Sequence, residues 1–361
     1  MRPPDDRAAM TDQSPLPSTA EPVPMPGPGS ATPEAGTTPV VSIIVISYNT
    51  RAMTLDCLRS VAAETRVPHE VILLDNVSPD GSAAAVAEAF PEVRLIASTE
   101  NHGFAKGNNI AARAARGEYL LLLNPDTLVL DGAIDKLVAF ARRAPAAGIW
   151  GGRTLKGDGA LDPSCAFGDQ TLWSIFCRTT GLSLVFRRSA LFNPEYYGGW
   201  QRDSERDVGV VMGCFLLIRR DLWEALGGFD LSFVMYGEET DLCRRAREAG
   251  LAQPRLTPEA EIIHYGGGSA PRAARDILKL KARVTLARRH LPAWQRPLGI
   301  WLIRLWPLTR KLSGGVIARI TGRQGARVKA GYWGEVWDAR RDWRDGFPLL
   351  PPPAGRGRPD A

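Results

Sequence analysis

At 361 residues, 44% hydrophobic and 23% charged, the chain has ordinary globular usage and is long enough for one large or two modest domains. No stretch reaches the ~18 uninterrupted apolar residues of a membrane span, and no apolar segment follows the first charges, so neither a spanning helix nor a secretory signal is expected and the chain is placed in the cytoplasm. Net charge is +6, but residues 1–270 carry 25 Lys and Arg against 33 Asp and Glu while residues 271–345 carry 18 against 5; one end is therefore expected to face an anionic surface, phospholipid or nucleic acid, unless it is a merely solvated basic face.

Residues 1–39 hold ten of the 28 prolines and hardly any large apolar side chain, so they are predicted to be disordered. From Val40 strands and helices alternate: strands at 40–49, 70–76, 93–99 and 118–124, helices at 55–65, 82–90, 107–116 and 132–144. Continuous apolar strands separated by helices of about ten residues predict a parallel sheet covered on both faces, with ligands at the strands' carboxyl ends. Three polar clusters fall there: Ser47-Tyr48-Asn49, Asp75-Asn76 and Asn124-Pro125-Asp126. The last interrupts "LLLLNPDTLVL", where an unpaired carboxylate would be costly, so the strand is expected to end and Asp126 to find a partner.

Residues 151–207 read as a long irregular segment, and its Trp173 and Trp200 suit either stacking on the rings of a bound ligand, an acceptor included, or a packed loop. Residues 208–228 read as a strand and a short helix, and 238–250 as a helix with acidic residues in its first turn and Gly250 as its stop. Residues 272–345 are helical and basic. Leu298, Trp301, Leu302 and Leu305 share a face flanked by Arg304, Arg310 and Lys311, with Pro307 as a break or kink; the face fits an interfacial membrane helix or packs on the rest of the chain. Cys57, Cys165, Cys177, Cys214 and Cys243 are odd in number and form no C-x-x-C pair, so reduced, buried residues are expected rather than disulfides or structural zinc.

Asp75 and Asp126 end strands of one sheet, and a hard cation such as Mg2+ needs only one or two carboxylates beside substrate phosphate oxygens. The stretches "VSIIVISYNT", "VILLDNVSPDGS", "NHGFAKGNNIAARAARGEYLLLLNPDT", "MGCFLLIRRDLWEALGGFD" and "YGEETDLCRRAREAG", followed by "HYGGGS", resemble in order the motifs of family 2 inverting glycosyltransferases of the GT-A fold. Within that family the resemblance is to the rhamnosyltransferase-like branch that builds cell-surface polysaccharide, and it spans about residues 40–270. It implies an α/β, Rossmann-like, mostly parallel sheet covered by helices over 40–270, followed by a helical extension at 271–346 and a disordered tail at 347–361.

By resemblance, Tyr48, Asn49 and Asp75 contact the nucleoside of a nucleotide-sugar, and Asn101, Gly103 and Asn109 shape the same pocket. Asp126 is the metal-binding carboxylate of a D-x-D-type motif whose first position is Asn124 here, and His264 contacts metal or phosphate. The family's Glu-Asp pair is Glu238-Glu239, with Glu239 the expected base and Glu238 the second choice; Asp241 and Arg244 are read as acceptor-site or helix-pairing groups. The expectation is a Mg2+- or Mn2+-dependent transferase moving a sugar, L-rhamnose from its dTDP carrier being the one suggested, onto a lipid-linked or glycan acceptor. It would lie peripherally on the inner face of the cytoplasmic membrane, with nucleic acid not among its partners. The alternatives are nucleic-acid binding through the basic end, and a nucleotide-binding scaffold without catalysis.

Overall fold

The computed structural model describes residues 38–266, 272–351 and 353. Most of the segments expected to be disordered, 1–37 and the chain from 354 on, lie outside them. The first half is built as β1 (Val41–Ser47), α1 (Arg51–Glu64), β2 (His69–Asp75), α2 (Ser82–Ala89), β3 (Arg94–Ala97), α3 (Gly103–Ala112) and β4 (Tyr119–Leu123). Strands β3, β2, β1 and β4 are parallel neighbours in that order. Every residue of β1 is buried because side chains alternate between two covered faces: Val41, Ile43 and Val45 pack with Cys57, Leu58 and Val61 of α1, while Ile44 and Ile46 pack with Ala105 and Ala111 of α3.

The second half adds β5 (Thr127–Val129), α4 (Ala133–Arg143), β6 (Ile149–Leu155), β7 (Ala166–Phe167), α5 (Leu172–Thr180), α6 (Leu182–Val185), β8 (Arg206–Asp207), β9 (Val210–Val211), β10 (Phe215–Arg219), α7 (Arg220–Leu226), α8 (Glu238–Glu248) and β11 (Arg255–His264). The sheet runs β3-β2-β1-β4-β10-β6-β11-β5, with β8 on β11. It is mixed and mostly parallel: β10 runs antiparallel between β4 and β6, and β11 returns parallel to β6. The segment expected to be irregular holds a helix, α5. Its capping box pairs Thr171 with Ser174 rather than with Glu or Gln, so the usual signature is missing from the sequence.

The chain ends in α9 (Arg272–His290), α10 (Arg296–Thr321), α11 (Gln324–Asp338) and α12 (Arg340–Trp343). With Ile175 of α5 they enclose a core of Leu280, Val284, Ala287, Leu302, Ile303, Val336 and Trp343. The α10 stripe divides: Leu302 is buried, as the packing reading expects, while Leu298 and Trp301 remain half exposed. Helix α10 continues through Pro307. Phe347, at the start of the expected tail, is buried against Phe233. All five cysteines are buried and unpaired, and no helix among the described residues is long and apolar enough to cross a membrane.

Candidate active site

The parallel register sets Ser47 of β1 beside Asp75 of β2, so both strands stop at one edge. Tyr48 is exposed there, and Asn49 adopts φ 54°, a conformation Asn tolerates better than most residues. The Asn49 N–H donates to Ser78 Oγ at 2.9 Å, and Ser78 N–H donates to Asp75 Oδ1 at 2.9 Å. Asp75 is buried and its Oδ2 has no partner, which leaves one acceptor for an incoming N–H or O–H group. Next to it, Asn76 bonds the backbone of His102 and Gly103, and Asn101 Oδ1 accepts from Gly103 N–H at 2.9 Å. Gly103 opens α3 at φ +68°, where a Cβ would meet the Val234 carbonyl at 3.2 Å. Five of the expected nucleoside residues, Tyr48, Asn49, Asp75, Asn101 and Gly103, therefore stand at one strand edge.

Asn109, the sixth, is used otherwise. Its Nδ2 donates to Phe229 O and its Oδ1 accepts from Phe229 N–H, both at 2.9 Å. It clamps the turn after α7 rather than facing a ligand.

At the end of β4, Asn124 N–H donates to Cys214 O at 3.2 Å, tying it to the turn before β10. Pairing of β5 with β11 sets His264 opposite Thr127. His264 Nε2 then lies 3.3 Å from Asp126 Oδ1 and 3.2 Å from Asn124 Nδ2, and Asp126 Oδ2 accepts from Gly266 N–H at 3.1 Å. Among the described residues the partners of this carboxylate are thus His264 and the Gly266 amide, whereas the expectation from the apolar run is a metal ion. Burial opposes the charge on Asp126, but the hydrogen bond and charge of His264 outweigh it and hold the carboxyl below its usual range. Burial likewise opposes protonation of His264, yet Cys214 and Asp126 beside it push the imidazole up to about 11.

Among the described residues, no group of three or more His, Cys, Asp or Glu is placed to hold a metal ion. The protein can offer a pair, Asp126 and His264, beside an Asn124 Oδ1 that is buried without a partner. That donor set would fit a hard divalent cation once the cation displaces the proton that Asp126 otherwise holds on His264, with phosphate oxygens and water filling the remaining positions.

Helix α8 begins after Gly237 at φ 92°, with Glu238 and Glu239 in its first turn. Glu238 is almost fully buried and its Oε2 is unpartnered. Burial, then the charge of Glu239, push its carboxyl well above the usual range. Burial also raises Glu239, against backbone hydrogen bonds and the charge of Lys279. The helix dipole, which favours an ionised carboxylate in a first turn, is thus overridden by desolvation at Glu239. Asn124, His264, Glu238 and Glu239 line one cavity of about 510 Å³. The turn 212–214 joins its two ends, since Cys214 O holds Asn124 while a Cβ on Gly213 would lie 4.0 Å from the Cβ of Glu239.

Other expected contacts lie elsewhere. Asp241 is fully buried, with Oδ2 accepting from Arg245 Nε at 2.6 Å and Oδ1 2.9 Å from His290 Nε2. Through His290 it pairs α8 with α9 and has no face for an acceptor, while Arg244 binds Glu248 of its own helix and Asp169 of the loop before α5. Trp173 stacks on Phe176 and donates to Leu191 O at 2.6 Å. Trp200 packs edge-on to Tyr197 and donates to Ser204 Oγ at 3.0 Å. Neither tryptophan lines the cavity, so the packed-loop reading describes both.

What sequence reasoning missed is the wall contributed by α9: Arg275, Lys279 and Arg283 line the cavity. Their i, i+4, i+8 spacing puts them on one helical face, a signal present in the sequence but read there as part of a general basic excess. Glu195 lines the same wall, accepting from Arg283 Nη2 at 2.9 Å and Ser174 Oγ at 2.9 Å. Burial disfavours its charge, but Arg178 and Arg283 hold it far below the usual carboxylate range, so it joins α5 to α9.

A model of the family described as Glycosyl transferase family 2 matches residues 42–226. N-acetylglucosaminyl-diphospho-decaprenol L-rhamnosyltransferase of Mycobacterium tuberculosis is 29% identical over 288 residues, covering 74% of this chain and 90% of that protein. The O-antigen biosynthesis protein RfbC of Myxococcus xanthus is 31% identical over 242 residues, 64% of this chain and 18% of that much longer protein. A solved mannosyltransferase from Pyrobaculum calidifontis, in complex with GDP-Man and Mn2+, superposes with a TM-score of 0.54 at 17% identity, over 87% of this chain and 90% of its own; the likeness is one of fold.

Proposed function

We propose that this chain, which belongs to glycosyl transferase family 2 and is a glycosyltransferase, moves a sugar from a nucleotide-sugar to a lipid-linked acceptor with inversion at the anomeric carbon and with Mg2+ or Mn2+ as its metal. One observation carries the reading: Asn124 and His264, the latter paired with Asp126, face the same cavity as the buried Glu238-Glu239 pair. L-Rhamnose as the sugar, and an N-acetylglucosamine joined to a lipid through diphosphate as the acceptor, follow the mycobacterial relative, which aligns over 90% of its length.

In this reading Tyr48, Asn49, Asp75, Asn101 and Gly103 hold the nucleoside end, and the unpartnered Asp75 Oδ2 accepts a proton donor from it. Asp126, His264 and the Asn124 amide hold the cation, which when bound neutralises the diphosphate leaving group, so no protonating acid is needed. Glu239 takes the proton of the acceptor hydroxyl as that oxygen bonds to the anomeric carbon. The carbon–oxygen bond to diphosphate breaks on the opposite face, which inverts the centre. Glu238, more deeply buried, keeps its own proton.

Peripheral attachment to the inner face of the cytoplasmic membrane is part of the same proposal. On α10, Leu298, Trp301, Leu312, Val316 and Ile320 are exposed at spacings that form one stripe, with Arg304, Lys311 and Arg319 nearby in sequence. The test of function is transfer by the purified protein from a panel of nucleotide-sugars, with Mg2+ or Mn2+, to a short-chain diphosphate-linked acceptor. Product of inverted configuration is expected; a folded protein that neither binds nor turns over any donor overturns the proposal.

A further inference from the structure

We infer that Arg275 and Lys279 form an anion subsite for the diphosphate that joins the acceptor sugar to its lipid. The inference rests on the transferase reading and deepens it by assigning the wall that selects the acceptor. Both side chains line the cavity that holds Glu238, Glu239, Asn124 and His264. They lie four residues apart on α9, one turn above the other on a single face.

The third cation of that face, Arg283, is already engaged: it donates to Gln170 Oε1 at 3.0 Å and to the Glu195 carboxylate at 2.9 and 3.2 Å. Arg275 and Lys279 have no carboxylate partner among the described residues. The Lys279 ammonium lies 5.3 Å from the centre of the Tyr236 ring, a contact that positions a cation without neutralising it. The charge of Lys279 opposes the upward shift of Glu239 but is outweighed by burial.

Position decides which diphosphate they meet. The donor's diphosphate has its own provision at Asn124, Asp126 and His264. Lys279 instead sits over the ring of Tyr236, the residue just before the Gly237-Glu238-Glu239 start of α8, where Glu239 must face the acceptor hydroxyl. A diphosphate attached to the acceptor sugar therefore comes within reach of α9 when its hydroxyl reaches the base. Arg supplies a planar fork for such oxygens and Lys a mobile point charge.

The experiment uses the full chain and three variants, Arg275→Gln, Lys279→Gln and the double substitution, with circular dichroism and Tm as folding controls. Two acceptors carry the same N-acetylglucosamine, one linked through diphosphate to a short prenyl chain and one as a neutral alkyl glycoside. Each substitution is expected to lower kcat/KM for the diphosphate acceptor about tenfold, as removal of a charge-assisted contact does. The loss should appear mainly in KM. Activity of Arg275→Gln on the neutral acceptor, and the affinity of every variant for nucleotide-sugar with Mn2+ by calorimetry, should be unchanged; Lys279→Gln should lose markedly less on the neutral acceptor than on the diphosphate acceptor, and Lys279→Arg should retain most of the wild-type value.

Equal losses on both acceptors would show an effect through Glu239 and overturn the subsite, as would weakened donor binding, which would give the two cations to the donor. Binding of the prenyl diphosphate acceptor is measured separately by calorimetry. If wild type binds it, the double variant does not, and no sugar is transferred, the subsite stands while the transferase reading falls. Equal binding by wild type and double variant, or none by either, overturns the subsite.

Discussion

In the proposed mechanism Glu239 acts as a base where burial works against its charge. Because its carboxyl is raised and must be ionised to accept a proton, kcat/KM should climb with pH along an acid limb lying above the ordinary glutamate value of ~4.3. Glu239→Gln should lower kcat by about 10²–10⁴-fold while leaving calorimetric donor affinity intact. Asp126→Ala should instead weaken Mn2+-dependent donor binding by about 100-fold or more, as measured by the same calorimetry, because the proposed cation loses its one carboxylate and keeps only His264 and the Asn124 amide. Glu238 makes a separate prediction about stability. Its folded-state carboxyl binds a proton more tightly than the unfolded chain does, so its contribution is complete below ~4.3 and is lost as pH rises through the raised folded value. Glu238→Gln should therefore raise Tm by a few degrees at pH 7.5 and change it little near pH 4. Glu238, Glu239, Asp126 and His264 were legible in the sequence because motif order located them. The direction of the glutamate shifts was not, since desolvation depends on what α9 and the turn at 212–214 place over the helix start.

Among the elements, the first four strands and three helices were readable because β1 and β4, buried on both faces, are apolar at nearly every position and helical stretches separate the strands. Direction is not encoded that way: β10 has the same apolar run as β4 yet lies antiparallel to it. Helix α5 escaped because Ser174 stands where the capping signature expects Glu or Gln. Thr171→Ala should remove that cap and cost about 1 kcal/mol, measurable by urea denaturation. Asn109 and Asp241 show a further limit, since an amide or carboxylate inside a motif looks the same whether it faces ligand or backbone. Asn109→Ala should destabilise the chain by about 1–3 kcal/mol through the Phe229 groups it leaves unpaired, without weakening donor binding.

For the whole molecule, the uneven charge of the sequence has a divided structural use. Part of it is consumed within the fold, as in the pairs Arg283–Glu195, Arg289–Asp230 and Arg304–Asp345. Part of it flanks the exposed stripe of α10, where Trp301→Asp combined with Ile320→Asp should reduce cosedimentation with anionic vesicles several-fold while leaving transfer to a soluble acceptor unaltered. Composition alone could announce the cations but not sort them.

Helix α9 enters the reaction chamber from a bundle outside the sheet, so one side of that chamber is made of chain that supports no strand. Its lining can drift, residue by residue, while the edge that grips the nucleotide stays as it is. In an architecture of this kind a change of customer needs no change of craft: new glycan linkages become reachable by repainting one helical face.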